Sequence, residues 1–346
     1  MEAPKFIIGD EKRFDEFVKS LGSAEKIIAV SHTDLDGLAS AKVIDYAIKA
    51  DKVFMKDYHE LNDDFINEIE NEKPTHIVIT DLLIRNPDFI KKLAGFSKVL
   101  MIDHHIPETD FNGENVFFLN AQGFCAAYLS HYLFSKIKDL SEIDWIVACA
   151  SIADVQYRNN AEWMQEVFSK YGFKFDIENL KEGSIWNLTC ALSNSLVYYS
   201  NDRLEVYRQL GNDFGDIGNL QKYGDEVQRE IDNCLLRFEK ERMEIYEGYF
   251  WEFSSKFPVK SIVSTILGFR YPAKTILIAE KRDKYYLSGR RQNKDKVIKM
   301  NEMLQKLTSG FEDSDAGGHI PAAGGHIQIK DAEEFKKRLN KLEDYI

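Results

Sequence analysis

Apolar positions in the first half of the chain change period several times. Asp10 followed by Phe14, Phe17, Val18 and Leu21, with Gly22 behind them, has the spacing of a capped amphipathic helix. The next run, Ile27 to Val30, is short and continuously apolar. It ends in SHTDLDG, after which Leu38, Ala41, Ile44, Tyr46 and Ala47 return to helical spacing. The unit then recurs. A strand is predicted over 53–58, a helix around Phe65, Ile66 and Ile69, and a strand over 77–79 that runs into Asp81. Asn86-Pro87 opens a further helix and Gly95 closes it. Strands over 99–102 and 116–119 follow, the first ending at Asp103-His104-His105, and then helices over 124–138 and 142–153.

Strands that are apolar on both faces and alternate with helices predict a doubly wound parallel α/β sheet covered on both sides. Residues 156–215 have a helical pattern with polar loops and no chemistry that the sequence identifies. Residues 222–247 predict one long charged helix with Val227, Ile231, Leu235 and Phe238 on a single stripe. Strands over 261–267, 275–280 and 285–288, with helices over 297–307 and 332–342, predict a smaller α/β domain at the end. The expected division is a first domain over 1–215, a linker helix over 216–250 and a second domain over 251–346.

A length of 346 residues suits two domains, and 44% apolar with 29% charged residues is the composition of a globular protein. The longest apolar runs, such as Trp145 to Ala150, fall well short of a membrane span. The opening MEAPKFIIGDEKRF has no leader pattern, and the expected location is the cytoplasm. Cys125, Cys149, Cys190 and Cys234 form no CxxC pair, so buried thiols are expected in place of a zinc site or disulfides. The net charge of −12 argues against a polyanionic partner, but it conceals a reversal. Residues 256–310 hold 13 Lys/Arg against four acids, a local charge of +9. Such a run is either a solvated face or a surface that collects phosphates.

In an open parallel sheet, ligands bind beyond the carboxyl ends of the strands, so residues just after each strand converge. Here those residues are His32, Asp34 and Asp36, then Asp81, then Asp103, His104 and His105. Asp154, at the end of the apolar helix WIVACASIA, is a further candidate. Any one of these alone would be an N-cap or a turn residue. Together, carboxylates gathered in a partly dry cleft repel one another unless a cation compensates them. Two divalent ions would balance Asp34, Asp36, Asp81 and Asp154, and mixed His and carboxylate donors favour manganese, with magnesium or cobalt as substitutes.

The motifs HTDLDG, the TD of VITDLL, IDHH and ASIAD resemble, in order, the four motifs of the DHH phosphoesterases. The resemblance implies that His32, Asp34 and Asp81 hold one ion and that Asp36, Asp81, His104 and Asp154 hold the other, with Asp81 shared. It further implies that Asp103 holds a histidine in place, that His105 faces the substrate phosphate, and that a water activated between the ions attacks phosphorus in line. AGGHIPAAGG at 316–325 and SGRR at 288–291 resemble signatures of the DHH-associated domain, with Ala316 where a glycine is usual. By that resemblance Arg290, Gly317, Gly318 and His319 hold a phosphate that is not cleaved. GGHI recurs at 324, which leaves His326 as the alternative histidine; the register that aligns Ala322, Ala323 and Gly324 selects His319.

The expected activity is that of a single-strand-specific exonuclease or oligonucleotide phosphodiesterase of the RecJ or nano-RNase kind. Its partners would be single-stranded RNA or DNA ends or short oligonucleotides, with no membrane and with a replication or repair partner by analogy alone. The alternatives are a small-molecule phosphoesterase for cyclic dinucleotides or pAp, and a non-catalytic replication scaffold, against which every expected ligand is present.

Overall fold

A computed structural model describes residues 1–180, 183–292 and 298–346. It divides into two compact units, Met1–Gly224 and Asp225–Ile346. Unit 1 runs α1 (Glu11–Ser20), β1 (Ile27–Ser31), α2 (Leu35–Ile48), β2 (Lys52–Met55), α3 (Asp63–Asn71), β3 (His76–Thr80), α4 (Pro87–Ala94), β4 (Lys98–Asp103) and β5 (Val116–Asn120). It continues with α5 (Ala126–Phe134), α6 (Asp144–Ala153), α7 (Ala161–Lys170), α8 (Ser184–Tyr198) and α9 (Leu204–Gln209). The division between the units falls inside α10 (Leu220–Glu241).

The five strands of unit 1 form one parallel sheet in the order β2-β1-β3-β4-β5. Successive strand residues go to opposite cores, as a period of two requires. Ala29, Val78, Leu100 and Leu119 join a core with Phe14, Leu38, Tyr128 and Trp145. Ile28, Ile77, Val99 and Phe118 join a second core with Phe65, Ile69 and Phe89. The sheet is therefore doubly wound, as the unalternating apolar runs predict.

Register determines where the strand ends fall. Ser31 is opposite Thr80, Thr80 is opposite Ile102, and Asp103 is opposite Asn120. A buried hydrogen bond of 2.7 Å between the Ser31 and Thr80 hydroxyls ties the first pair. His32, Asp81 and the Asp103–His105 segment consequently leave three neighbouring strands at one edge, with strands about 4.8 Å apart.

Unit 2 contains β6 (Met243–Ile245), β7 (Gly248–Phe253), α11 (Lys260–Arg270), β8 (Thr275–Lys281), β9 (Tyr285–Arg290), α12 (Met300–Thr308), β10 (Asp315–His319), β11 (Ala322–Ile327) and α13 (Ala332–Leu339). Its sheet has the order β10-β11-β9-β8-β7-β6 and is mixed, with only β7 and β8 parallel. Residues 261–267, expected as a strand, lie in α11. SIVSTILGF is rich in β-branched residues, but Val259, Val263 and Leu267 are all fully buried, and that i, i+4 stripe overrides propensity. The long helix ends at Glu241 instead of 247, and the two strands after it were not expected. Val297, the first residue of the helix expected over 297–307, lies outside the described residues.

Cys125, Cys149 and Cys234 are buried free thiols and Cys190 is half-buried. No helix among the described residues is long and apolar enough to cross a membrane.

The turn from β1 into α2 is the tightest point of the edge. A Cβ on Gly37 would lie 2.1 Å from the His32 carbonyl oxygen, so only glycine lets α2 start against that loop. Gly37→Ala is expected to destabilise unit 1 by about 3 kcal/mol, the upper end for forced overpacking, because the obstructing atom is backbone. Urea unfolding followed by circular dichroism measures it, and a wild-type midpoint would mean that the loop yields freely.

Candidate functional site

Each site side chain is placed by a specific local device. Asp34 is the N-cap of α2, accepting from the Gly37 amide at 3.0 Å, which also orients its carboxylate toward His32. Asp36, in the first turn of α2 and 2% exposed, accepts from the amides of Ala126 and Ala127 at 2.7 Å each. The amino end of α5 thus holds it where an apolar residue would otherwise pack. Asp81 follows β3 with φ at +58°, a left-handed conformation that Asp tolerates better than most residues, and it is 1% exposed. Asp103 accepts from the amides of His104 (2.8 Å) and His105 (3.4 Å) and from His105 Nδ1 (2.8 Å). Asp154 caps α6, which Val155 closes at φ +58° with Gln156 N–H donating to the Ser151 carbonyl at 2.9 Å.

These devices bring His32, Asp34, Asp36, Asp81, Asp103, His104, His105 and Asp154 together. His32 Nδ1 lies 3.0 Å from Asp34 and 3.7 Å from Asp81 Oδ2. His104 Nε2 lies 3.3 Å from Asp81 Oδ1 and 3.7 Å from Asp36, and its Nδ1 lies 3.6 Å from Asp154. Three groups have potential ligand atoms within 4.8 Å of one another: His32 with Asp34 and Asp81; Asp36 with His104 and Asp154; and Asp81 with Asp103, His104 and His105. Asp81 is the hinge of the arrangement, with one oxygen toward His32 and the other toward His104. Its Oδ2, like Asp154 Oδ2, is buried with no hydrogen-bond donor among the described residues. Buried carboxylate oxygens without donors fit a cation as their partner.

The electrostatics point the same way. Burial, reinforced by Asp81, pushes the Asp36 carboxyl well above its ordinary value. Burial, reinforced by Asp34, does the same to Asp81, and burial also raises Asp154. For His32, burial opposes the charge, but hydrogen bonds to Asp34 and Asp81 outweigh it and raise the imidazole to about 10. Asp34 is buried too, yet the His32 partner holds it down at about 2. Burial likewise opposes the charge of His105, and its bond to Asp103 raises it nonetheless. Without a metal, the cluster relieves its repulsion by holding protons.

Three contributors carry no signal in the chain's motifs. Asn120, the last residue of β5, donates to the His105 carbonyl at 2.9 Å and so fixes the loop after β4. Tyr58 lies just past β2, which ends at Met55 instead of running to 58. Its ring centroid is 4.9 Å from that of His32 and its hydroxyl 3.4 Å from His105 Nε2. The third is the group Ser193, Leu196, Val197 and Arg203, which lines a cavity of about 390 Å3 together with His32, Asp34, Asp36 and Asp154. His76 and His131 are structural: the first bonds Ser20 and Thr75, and burial lowers the second to about 4.

In unit 2 the GGH segment is no loop. It forms the hairpin β10–β11, and its register places His319 opposite Ala322 and Ala322 opposite Arg290. Directly paired residues share a face, so His319 and Arg290 flank the small Ala322 on one side of the sheet. Gly317 and Gly324 are paired in a neighbouring row on that side. A Cβ on Gly317 would meet nothing within 4 Å, and one on Gly324 only an ordinary contact, so packing does not require glycine at either position. Arg290 donates to Thr265 Oγ1, Ser288 Oγ and the carbonyls of Gly289 and Ala323, and to no carboxylate among the described residues. His326 is at the far end of the hairpin, 3.1 Å from Lys284 Nζ. The basic segment is less bare than its sequence suggests. Lys256, Arg270, Arg282, Lys284, Arg291 and Lys299 are all paired with acids, and Lys294 and Lys296 lie outside the described residues.

Comparison with known proteins locates this arrangement. No curated protein matches the chain in sequence. Residues 258–345 match the DHHA1 domain model. Among solved structures, the manganese-bound exonuclease RecJ superposes with a TM-score of 0.74 at 15% identity, over 100% of this chain and 96% of its own. CDC45 from Entamoeba histolytica gives 0.66 at 9% identity, over 97% of this chain and 99% of its own. The pGpG-specific phosphodiesterase PggH from Vibrio cholerae gives 0.53 at 13% identity, over 93% and 100%. Residues 258–345 match the DHHA1 domain, and the chain as a whole shares the fold of the manganese-bound exonuclease RecJ.

Proposed function

We propose that the chain is a metal-dependent phosphodiesterase that releases mononucleotides from single-stranded ends or short oligonucleotides. The observation that carries the reading is Asp81, buried between two histidine-carboxylate groups with one oxygen toward each and no donor on Oδ2. In this reading His32, Asp34 and Asp81 hold one divalent ion, and Asp36, His104 and Asp154 with Asp81 hold the second. Manganese suits the mixed nitrogen and oxygen donors, and magnesium is the natural substitute. The ions, when bound, neutralise the carboxylates, polarise a phosphoryl group and acidify a water.

The chain's own residues do the rest. Asp103 takes the Nδ1–H of His105 and fixes the ring so that Nε2, beside the Tyr58 hydroxyl, is presented to a phosphate oxygen. Arg290 and His319, in one row of the unit 2 sheet, hold a second phosphate over the bare backbone of Gly317 and Gly324, while Gly318 (φ +130°) lets β10 take its path. Of the two histidines, His319 is the one in the Arg290 row, which favours it over His326. RecJ is an exonuclease and PggH a phosphodiesterase of a dinucleotide, so the fold serves both strand ends and short substrates. The paired state of the basic segment favours the short ones. A scaffold role, for which CDC45 is the structural likeness, does not account for a complete set of metal donors.

Incubation with manganese and a length series of end-labelled single-stranded RNA and DNA, with pAp and a cyclic dinucleotide alongside, tests the reading. Stepwise shortening to mononucleotides is expected; consumption of pAp or the cyclic compound alone would replace it with a small-molecule activity. Asp81→Asn preserves shape and suits the left-handed backbone. It is expected to reduce turnover by about a thousandfold or more, roughly 4 kcal/mol of transition-state stabilisation. It should also abolish stabilisation by manganese, which in the wild type is about 2.7 kcal/mol at a hundredfold excess over Kd. Wild-type values in either assay would remove Asp81 from the metal centre.

Metal binding would compete with protons on His32, raised to about 10, and on Asp36, Asp81 and Asp154, all raised above their ordinary values. Affinity therefore rises with pH, and Kd should fall about tenfold per pH unit for each proton displaced. Calorimetry between pH 6 and 8, about the neutral range in which imidazole competition matters, should show net proton release into the buffer. A pH-independent Kd would contradict this linkage.

A further inference from the structure

Helices α8 and α9 supply no metal donor and no phosphate contact in the proposed mechanism, yet α8 and the residue before α9 help to line the cavity at the metal cluster. His32, Asp34, Asp36, Asp57 and Asp154 line it together with Leu196 and Val197 of α8 and Arg203 just before α9. All of them belong to unit 1. A volume of about 390 Å3 is within the range of pockets that take a small ligand and suits one nucleotide unit.

Arg203 is half-buried, and its side chain makes no hydrogen bond or ion pair among the described residues. The acids beside it in sequence are already engaged: Arg208 takes Asp202 at 3.5 Å and Glu205 at 3.2 Å. Of the carboxylates lining the cavity, Asp34 is directed at His32, Asp36 and Asp154 at His104, and Asp57 accepts from the Tyr58 amide. A guanidinium with five donors, left unpaired on the wall of a cavity beside a metal cluster, is suited to an incoming anion, and its planar fork matches a phosphate. His32, Asp34, Asp36 and Asp154 border the same cavity, so in the phosphodiesterase reading the cleaved phosphate has the ions and His105 as its partners, and Arg203 is left for a neighbouring one.

We propose that Arg203 binds the phosphate next to the scissile one, and that the cavity receives the nucleotide carrying it, with Leu196 and Val197 against its sugar or base. The inference rests on the phosphodiesterase reading and narrows it. The substrate is a phosphodiester with a second phosphate one nucleotide away, as in an oligonucleotide or a terminally phosphorylated dinucleotide. A simple dialkyl or diaryl phosphate uses the metal cluster but leaves this subsite empty.

Steady-state kinetics with manganese on three dinucleotides, one without a terminal phosphate, one with a 5′-phosphate and one with a 3′-phosphate, tests the assignment. For one of the two phosphorylated substrates, Arg203→Ala is expected to lose about tenfold or more kcat/KM beyond its loss on the unphosphorylated dinucleotide, mainly through KM. Arg203→Lys should recover part of that loss, because a point charge still attracts phosphate without the bidentate fork. The phosphorylated substrate that suffers also reports which side of the scissile bond the cavity serves. Equal losses on all three, with the wild type active, would overturn the role of Arg203 and leave the phosphodiesterase reading standing. A wild type inactive on all three would overturn that reading and this inference together. A thermal melt of Arg203→Ala at the wild-type temperature is expected, because the side chain supports no described contact.

Discussion

The mutual repulsion of carboxylates at the edge of the unit 1 sheet is the constraint on which the rest of the site depends. Asp36 and Asp81 are almost wholly buried, and Asp154 has an oxygen with no donor among the described residues. Such a cluster is stable only if protons or cations compensate it. Burial raises the carboxyls of Asp36, Asp81 and Asp154, and for His32 the bonds to Asp34 and Asp81 outweigh burial and raise the imidazole, so every one of these shifts favours the protonated form. A divalent ion bound through the carboxylate lone pairs would supply the same compensation with more charge, which is why the proposed function gives this cluster a metal.

Holding like charges together also demands a frame that does not relax away from them. Parallel register at β1, β3 and β4 sets the spacing, and the buried Ser31–Thr80 hydroxyl pair locks two of those strands at their ends. Gly37 lets α2 begin against the His32 carbonyl, which places Asp36 at the amino end of α5. Asp81 and Val155 both adopt left-handed backbone, and for Val, branched at Cβ, that conformation is costly. The cost falls on the residue directly after Asp154, at the C-terminus of a helix whose other residues are almost all buried.

The range of each interaction determines how much of the fold and the site was legible in the sequence. The sheet of unit 1 was legible because strands buried on both faces leave continuous apolar runs, and the cluster was legible because a parallel sheet gathers at one edge the residues just beyond its strands. Tyr58, Asn120 and Arg203 were not. Each is placed by residues distant in sequence, Tyr58 by His105, Asn120 by the His105 carbonyl, and Arg203 by the cavity it lines with Leu35 and Asp36 of α2, and no local pattern encodes such placement. Residues 261–267 misled because β-branched composition competes with a stripe, Val259, Val263 and Leu267, that becomes decisive only when the surface it packs against is known. The hairpin at 315–327 was hidden for the opposite reason: glycines suggest turns, and here they line a strand pair.

Charge pairing decides how such a chain would grip a polyanion. The local charge of +9 suggests a broad attractive field, yet six of its basic groups are ion-paired, several with acids outside the segment such as Glu226, Glu239 and Glu247. A paired cation contributes little to the release of counterions that makes long-strand binding strong and salt-dependent. Among the described residues Arg290 donates only to neutral oxygens and Arg203 has no partner, so each is a single donor and not part of a broad field. A single donor serves a dinucleotide as well as a long strand. In the proposed reading, a net charge of −12 would repel the rest of a long strand and favour short substrates and free ends.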